Sequence, residues 1–122
     1  MKTKMGININ DDSNPWTKWI LNGTKTIETR NTNCLKSYIN KEVGIIRTGT
    51  NRKATLVGYV TINKPIIYTS KEMFDKDMAK HLVSPFSIFY IKTIKYGYPL
   101  TNARRCKEKP IKSRGMVARK II

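Results

Sequence analysis

Acidic side chains are scarce in this sequence: eight Asp and Glu stand against 24 Lys and Arg, a formal net charge of +16. There is one histidine, His81, and there are two cysteines, Cys34 and Cys106, far apart in the chain. Without any metal-ligand spacing among them, they exclude a zinc site of Cys and His ligands, and neither a metal nor a cofactor is expected. Two isolated thiols make no disulfide framework and read as free, partly buried cysteines. No Ser or Cys nucleophile motif surrounds His81, which reads as structural or solvent-facing. No apolar run approaches the roughly 20 residues that a membrane-spanning helix needs. Met1-Lys2-Thr3-Lys4-Met5 is basic, yet Gly6-Ile7-Asn8-Ile9-Asn10-Asp11 follows where a secretory signal has its apolar block. The expectation is a cytoplasmic protein with no membrane partner, a viral or host-nuclear setting staying open.

What the sequence has in abundance is positive charge. Ile, Lys and Asn are all over-used, as AT-rich coding favours, but that bias would raise Glu as well, so the acid deficit needs another cause. A cationic surplus of this size attracts polyanions and releases their counterions on contact. The expected partner is therefore nucleic acid, with a monomeric chain of 122 residues forming one domain that buries about two-thirds of its unfolded surface. The charge is uneven. Lys36 to Lys53 carries five basic residues against one acid, and Lys92 to Lys120 carries ten against Glu108 alone. Residues 64–80 between them are nearly balanced.

Residues 6–10 read as a strand or a loose arm. Asn14-Pro15 opens a helix, Asn14 as N-cap, with Trp16, Trp19 and Ile20 on one face and Asn22-Gly23 ending it. Short strands are expected at 26–30 and 42–48. Residues 54–62 form another, with Leu56, Gly58, Val60 and Ile62 on one face, after a hairpin turn, Gly49-Thr50-Asn51-Arg52, with a basic tip. Ser70 caps a second helix to about Leu82, burying Phe74, Met78, Ala79 and Leu82, and Ser84-Pro85 breaks it. Residues 86–98 read as one long β-run, 104–109 as a loop and the tail from 109 to 121 as a final strand. Two helices and about six mostly antiparallel strands give an α+β protein, most simply a small β-barrel with the helices attached.

The segment Gly23-Thr-Lys-Thr-Ile-Glu-Thr-Arg30 carries the functional reading. On a strand, alternation sends Ile27 and Thr29 to one side and Glu28 and Arg30 to the other, with Lys25 at the strand's edge. A carboxylate there can accept from a base's exocyclic amine while the cations take phosphate or carbonyl oxygens. An ion pair of Glu28 with Arg30 or Lys25, clamping strand to helix, fits the same spacing.

Pro15-Trp16, Ile20, Gly23, Lys25-Thr26, Glu28 and Arg30 together resemble the signature of the ASCH family, a branch of the PUA-like superfamily. Val43-Gly44-Ile45, Leu56 to Val60, Gly97 to Asn102 and Lys109 to Gly115 are similar to the family's later strands, in order. The resemblance covers roughly residues 14–118, leaving 1–13 as an N-terminal strand or arm before an ASCH-like domain over 14–122. It implies a PUA-like barrel with a cleft beside the first helix, lined by Lys25, Glu28 and Arg30, and roles linked to nucleic acid, with RNA ahead of DNA. One branch looks like an amidohydrolase acting on acetylated cytidine; it carries Thr where Glu28 stands. That branch also uses a further Glu, for which Glu72, Asp75 and Asp77 are the nearest candidates. Other members are linked to RNA cleavage, for which Lys25 and Glu28 are the candidate acid and base. The expected binding residues are Trp16, Lys25, Glu28, Arg30, Arg52, Lys53, Asn102, Arg104, Arg105, Lys112 and Arg114.

Overall fold

The computed structural model describes residues 2–122. In chain order the elements are β1 (Met5–Asn10), α1 (Trp16–Leu21), β2 (Ile27–Arg30), a 3₁₀ turn (Lys36–Tyr38), β3 (Lys41–Thr48) and β4 (Thr55–Ile62). Then come β5 (Ile66–Tyr68), α2 (Lys71–Lys76), α3 (Met78–His81), β6 (Lys95–Pro110) and β7 (Ala118–Lys120). The strands join in the order β2-β6-β4-β3-β1-β7, with β5 also paired to β6. All pairings are antiparallel except β1 with β3, which run parallel. The sheet curls into a half-barrel carrying three short helices.

The inner face holds the main core, in which Ile7, Ile20, Val43, Ile45, Val60 and Ile62 are fully enclosed. A second, small apolar cluster of Ile46, Leu56, Ile111 and Ile121 lies apart from it. A β-bulge divides them. Ile45 pairs with Gly58 and Ile46 with Leu56, so Val57 is the extra residue of β4. Val57 therefore joins the main core, and Leu56 packs in the small cluster instead of sharing a face with Val60 and Ile62.

Other expectations are corrected for local physical reasons. Asn14 does not cap α1 with its side chain; Asp11 does, accepting from the Thr17 amide at 3.1 Å and from the Thr17 hydroxyl at 2.5 Å. The single helix expected over 70–82 is two. Ser70 caps its start, but the chain breaks at Asp77 and closes at Leu82 in the left-handed conformation. Phe74 and His81 are the buried pair, stacked at 3.9 Å, whereas Ala79 is exposed and Met78 and Leu82 only half-buried. The β-run expected from residue 86 begins only at Lys95. Ser84 and Ser87 hydroxyls accept from the Phe86 and Phe89 amides, and backbone turns close over them, so local bonds outcompete a sheet ladder. Phe86 consequently stands 98% exposed. Residues 104–109 are strand, not loop, because β6 runs unbroken past a bulge where Asn102 takes a φ of 55°. The tail strand shrinks to β7, and β5 is a strand that sequence patterning did not mark.

Candidate functional site

Gly23, at a φ of 82°, turns the chain out of α1, and the Lys25 amide returns to the Trp19 carbonyl at 2.8 Å. β2 then alternates as its residue types dictate. Ile27 is buried in the core, while Glu28 and Arg30 share the other side and bond to one another, Arg30 Nε donating to Glu28 Oε2 at 3.0 Å. Arg30 Nη2 also donates to the Asn8 carbonyl at 2.8 Å. That bond crosses from β2, at one end of the sheet order, to β1 near the other, so the guanidinium pins the seam where the half-barrel curls.

Lys25 sits deeper than the strand's edge. It is 2% exposed, with its ammonium 4.7 Å from the Trp16 ring centroid and 3.8 Å from Glu28 Oε1, donating to the His81 carbonyl at 2.5 Å. His81 is neutral by its partners: Nδ1 accepts from the Val83 amide, and Nε2 donates to the Phe74 carbonyl at 2.7 Å. Burial holds the Lys25 ammonium below the ordinary lysine range, against the pull of Glu28, with Arg30 and Lys95 adding to the depression.

Trp16, Lys25, Glu28 and Arg30 line a cleft of about 450 Å³, within the roughly 300–1,000 Å³ of small-ligand pockets. Trp16 and Phe89, edge to face at 6.3 Å, supply an aromatic wall. Asn8, Met116 and Arg119 line it as well. Glu28, 8% exposed, is the single acid among the lining residues, against Lys25, Arg30, Lys95 and Arg119. Such a floor offers one strong acceptor and several donors, suited to a ligand bearing an amine, carbonyls and negative charge. Among the described residues, no group of three or more His, Cys, Asp or Glu could hold a metal ion, and no helix is long and apolar enough to cross a membrane.

Of the residues expected from sequence, the structure gathers Trp16, Lys25, Glu28 and Arg30 in this cleft and leaves the rest outside it. Arg52 and Lys53 are exposed at the β3–β4 turn, and Lys112 and Arg114 are exposed after β6. Asn102 borders a second groove, with the end of α1. Arg105 is exposed on β6, and Arg104 lies over the Tyr59 ring at 4.2 Å while pairing with Glu42 at 3.1 Å. Sequence reading missed Lys95, Asn31, Asn8 and Arg119. Nothing local marks them, because their positions come from β6, β1 and β7 meeting β2 across the seam.

Compared by sequence, the chain matches no protein-family model and no curated protein. Its structure is similar to that of ASCH from Zymomonas mobilis, at a TM-score of 0.63 and 13% identity, covering 83% of this chain and 68% of that one. A tyrosine-to-phenylalanine mutant of the Zymomonas mobilis protein aligns at a TM-score of 0.67 and 12% identity over 90% of this chain and 77% of that one. A serine-to-alanine mutant aligns at 0.68 and 13% over 97% and 87%. The chain has the fold of the ASCH domain, here a small α+β half-barrel with three short helices.

Proposed function

We propose that this chain recognises nucleic acid, RNA ahead of DNA, by admitting a base into the cleft beside α1. One observation carries the reading: a lone carboxylate, Glu28, lies between two cations on the floor of an open cleft with an aromatic wall. Glu28 would accept from a base's amine, Arg30 and Lys25 would meet its carbonyls, and Trp16 and Phe89 would flank its ring. A base held against aromatic side chains gains about 1–3 kcal/mol. The exposed cations of β6, Arg104 and Arg105, and those at Arg52, Lys53, Lys112 and Arg114, would meet the flanking phosphates. The preference for RNA rests on the family resemblance. Fluorescence anisotropy with single-stranded RNA and DNA oligonucleotides between about 50 and about 300 mM salt, over which the Debye length falls from about 14 to about 6 Å, tests it. Binding should weaken steeply with salt and should lose base preference in Glu28→Gln assayed well below its melting temperature. No binding at the lowest salt, or unchanged preference in the variant, overturns the proposal.

A second reading has its own support. An ammonium whose proton is loosened by burial, beside a carboxylate, is the kind of group that serves as acid or base in hydrolysis. The reaction would be deacylation of an acetylated cytidine or cleavage of RNA, with Lys25 and Glu28 as the working groups. Incubation with acetylcytidine and with short RNAs separates the readings. Product that disappears in Lys25→Ala supports an enzyme, and no product with either substrate removes it.

A further inference from the structure

The cleft holds more positive charge than its own carboxylate answers. Glu28 is committed to two partners, Oε1 facing Lys25 at 3.8 Å and Oε2 meeting Arg30 at 3.0 Å. Lys95 and Arg119 are left over. Lys95 is 3% exposed, and its ammonium donates to Asn31 Oδ1 at 2.8 Å. Among the described residues it forms no ion pair, so a buried cation is met by one neutral amide oxygen. Arg119 donates through Nη1 to the Ser113 carbonyl at 3.2 Å, while its Nε is buried with no hydrogen-bond partner. Both side chains line the same cleft, Lys95 at the start of β6 and Arg119 on β7, which closes the opposite end of the sheet order.

A desolvated cation without a counterion is unfavourable, and an unmade bond on a buried donor adds to the cost. Burial holds the Lys95 ammonium below the ordinary lysine range against the longer-range attraction of Glu28, with Lys92 and Arg30 adding to the depression. An anion entering the cleft that both side chains line would offset these costs. Two surplus cations contributed by separate strands match a doubly charged group with several oxygens pointing in different directions better than a planar monoanion.

We infer that the cleft contains a phosphate subsite formed by Lys95 and Arg119 with Arg30 beside them, so that its ligand is a nucleotide carrying its phosphate into the cleft. This inference rests on the reading of the cleft as a nucleotide site, and it goes beyond that reading by placing one phosphate inside the cleft, on side chains other than the exposed cations assigned to the flanking phosphates.

Isothermal titration at low salt with the four ribonucleosides, their 5′-monophosphates, ribose 5-phosphate, inorganic phosphate and acetate tests it. At least one monophosphate should bind about tenfold or more tighter than its nucleoside, and phosphate should bind where acetate does not. That gain should fall to about twofold or less in Lys95→Met and be largely restored in Lys95→Arg. Arg119→Met, on a short edge strand, should lose several-fold of the gain and serves if Lys95→Met melts early. Equal affinity for nucleoside and monophosphate, equal affinity for phosphate and acetate, or a gain that survives both variants overturns the subsite. Ribose 5-phosphate binding as tightly as every monophosphate, with Lys95 required, upholds the subsite while removing base recognition. Nucleosides that bind with no gain from phosphate remove the subsite and leave base recognition standing.

Discussion

Replacing Glu28 by Gln removes one charge and almost no volume, and its consequences can be worked from the geometry. Lys25 is enclosed, and its ammonium is 3.8 Å from the Glu28 carboxylate. At an effective dielectric constant of about 20, a unit pair at that distance attracts by roughly 4 kcal/mol. Breaking a buried pair from one side costs about 3–5 kcal/mol, because the abandoned charge stays desolvated. Arg30 is less enclosed than Lys25 and recovers some solvation, so a loss of about 3 kcal/mol at pH 7 is expected. For a domain of this length that lowers Tm by roughly 10–15 °C.

The pH dependence supplies the sharper test. Lys25 titrates below its ordinary value in the folded state, so the unfolded chain holds that proton over a range where the native chain has released it. Stability from this group therefore rises as pH climbs from the lowered folded value toward the unfolded value of about 10.4. Removing Glu28 takes away the attraction that opposes the depression, which lowers the folded value further and widens that window downward. The difference between wild type and Glu28→Gln should hence be largest near pH 7 and shrink toward pH 10. Urea denaturation at both pH values measures it. A variant within about 0.5 kcal/mol of wild type at pH 7, or a difference that does not narrow with pH, refutes the buried-pair account.

Three further outcomes follow from packing and backbone geometry. Gly97→Ala places a methyl 2.5 Å from Tyr68 Cε2 and 3.0 Å from Ile27 Cγ2, both in the core, and should cost about 1–3 kcal/mol in chemical denaturation. Asp11→Ala removes the carboxylate that caps α1 through Thr17, with an expected loss of about 1–2 kcal/mol and a lower Tm in a thermal melt. At Asn102, whose φ is 55°, Gly should be tolerated while Val, branched at Cβ, should destabilise by about 1–2 kcal/mol, read as a shift in the denaturation midpoint.

How much of the molecule is legible in its sequence depends on the range of the forces involved. α1 follows from Pro15 at its start, the Trp16–Ile20 spacing and Gly23 after it, all contacts within a few residues. β4 announced itself by alternation, but the bulge at Val57 did not, since an extra residue shows only against the partner strand β3. The run from Phe86 is rich in β-forming residues, and two serines placed two residues before amides they can bond to were enough to keep its first half out of the sheet.

The same division runs through the cleft. Sequence alone determined the charge surplus and the side of β2 on which Glu28 and Arg30 meet, because strand alternation and composition need no knowledge of the rest of the chain. Only the tertiary structure decided that Lys25 would be buried on a carbonyl 56 residues away and that Arg30 would reach 22 residues back to Asn8. It also brought Lys95 to Asn31 across 64 residues. Those contacts exist because the sheet order sets β6 beside β2 and curls β1 and β7 toward them. Strand order and curl are properties of the whole sheet, absent from any single stretch of sequence.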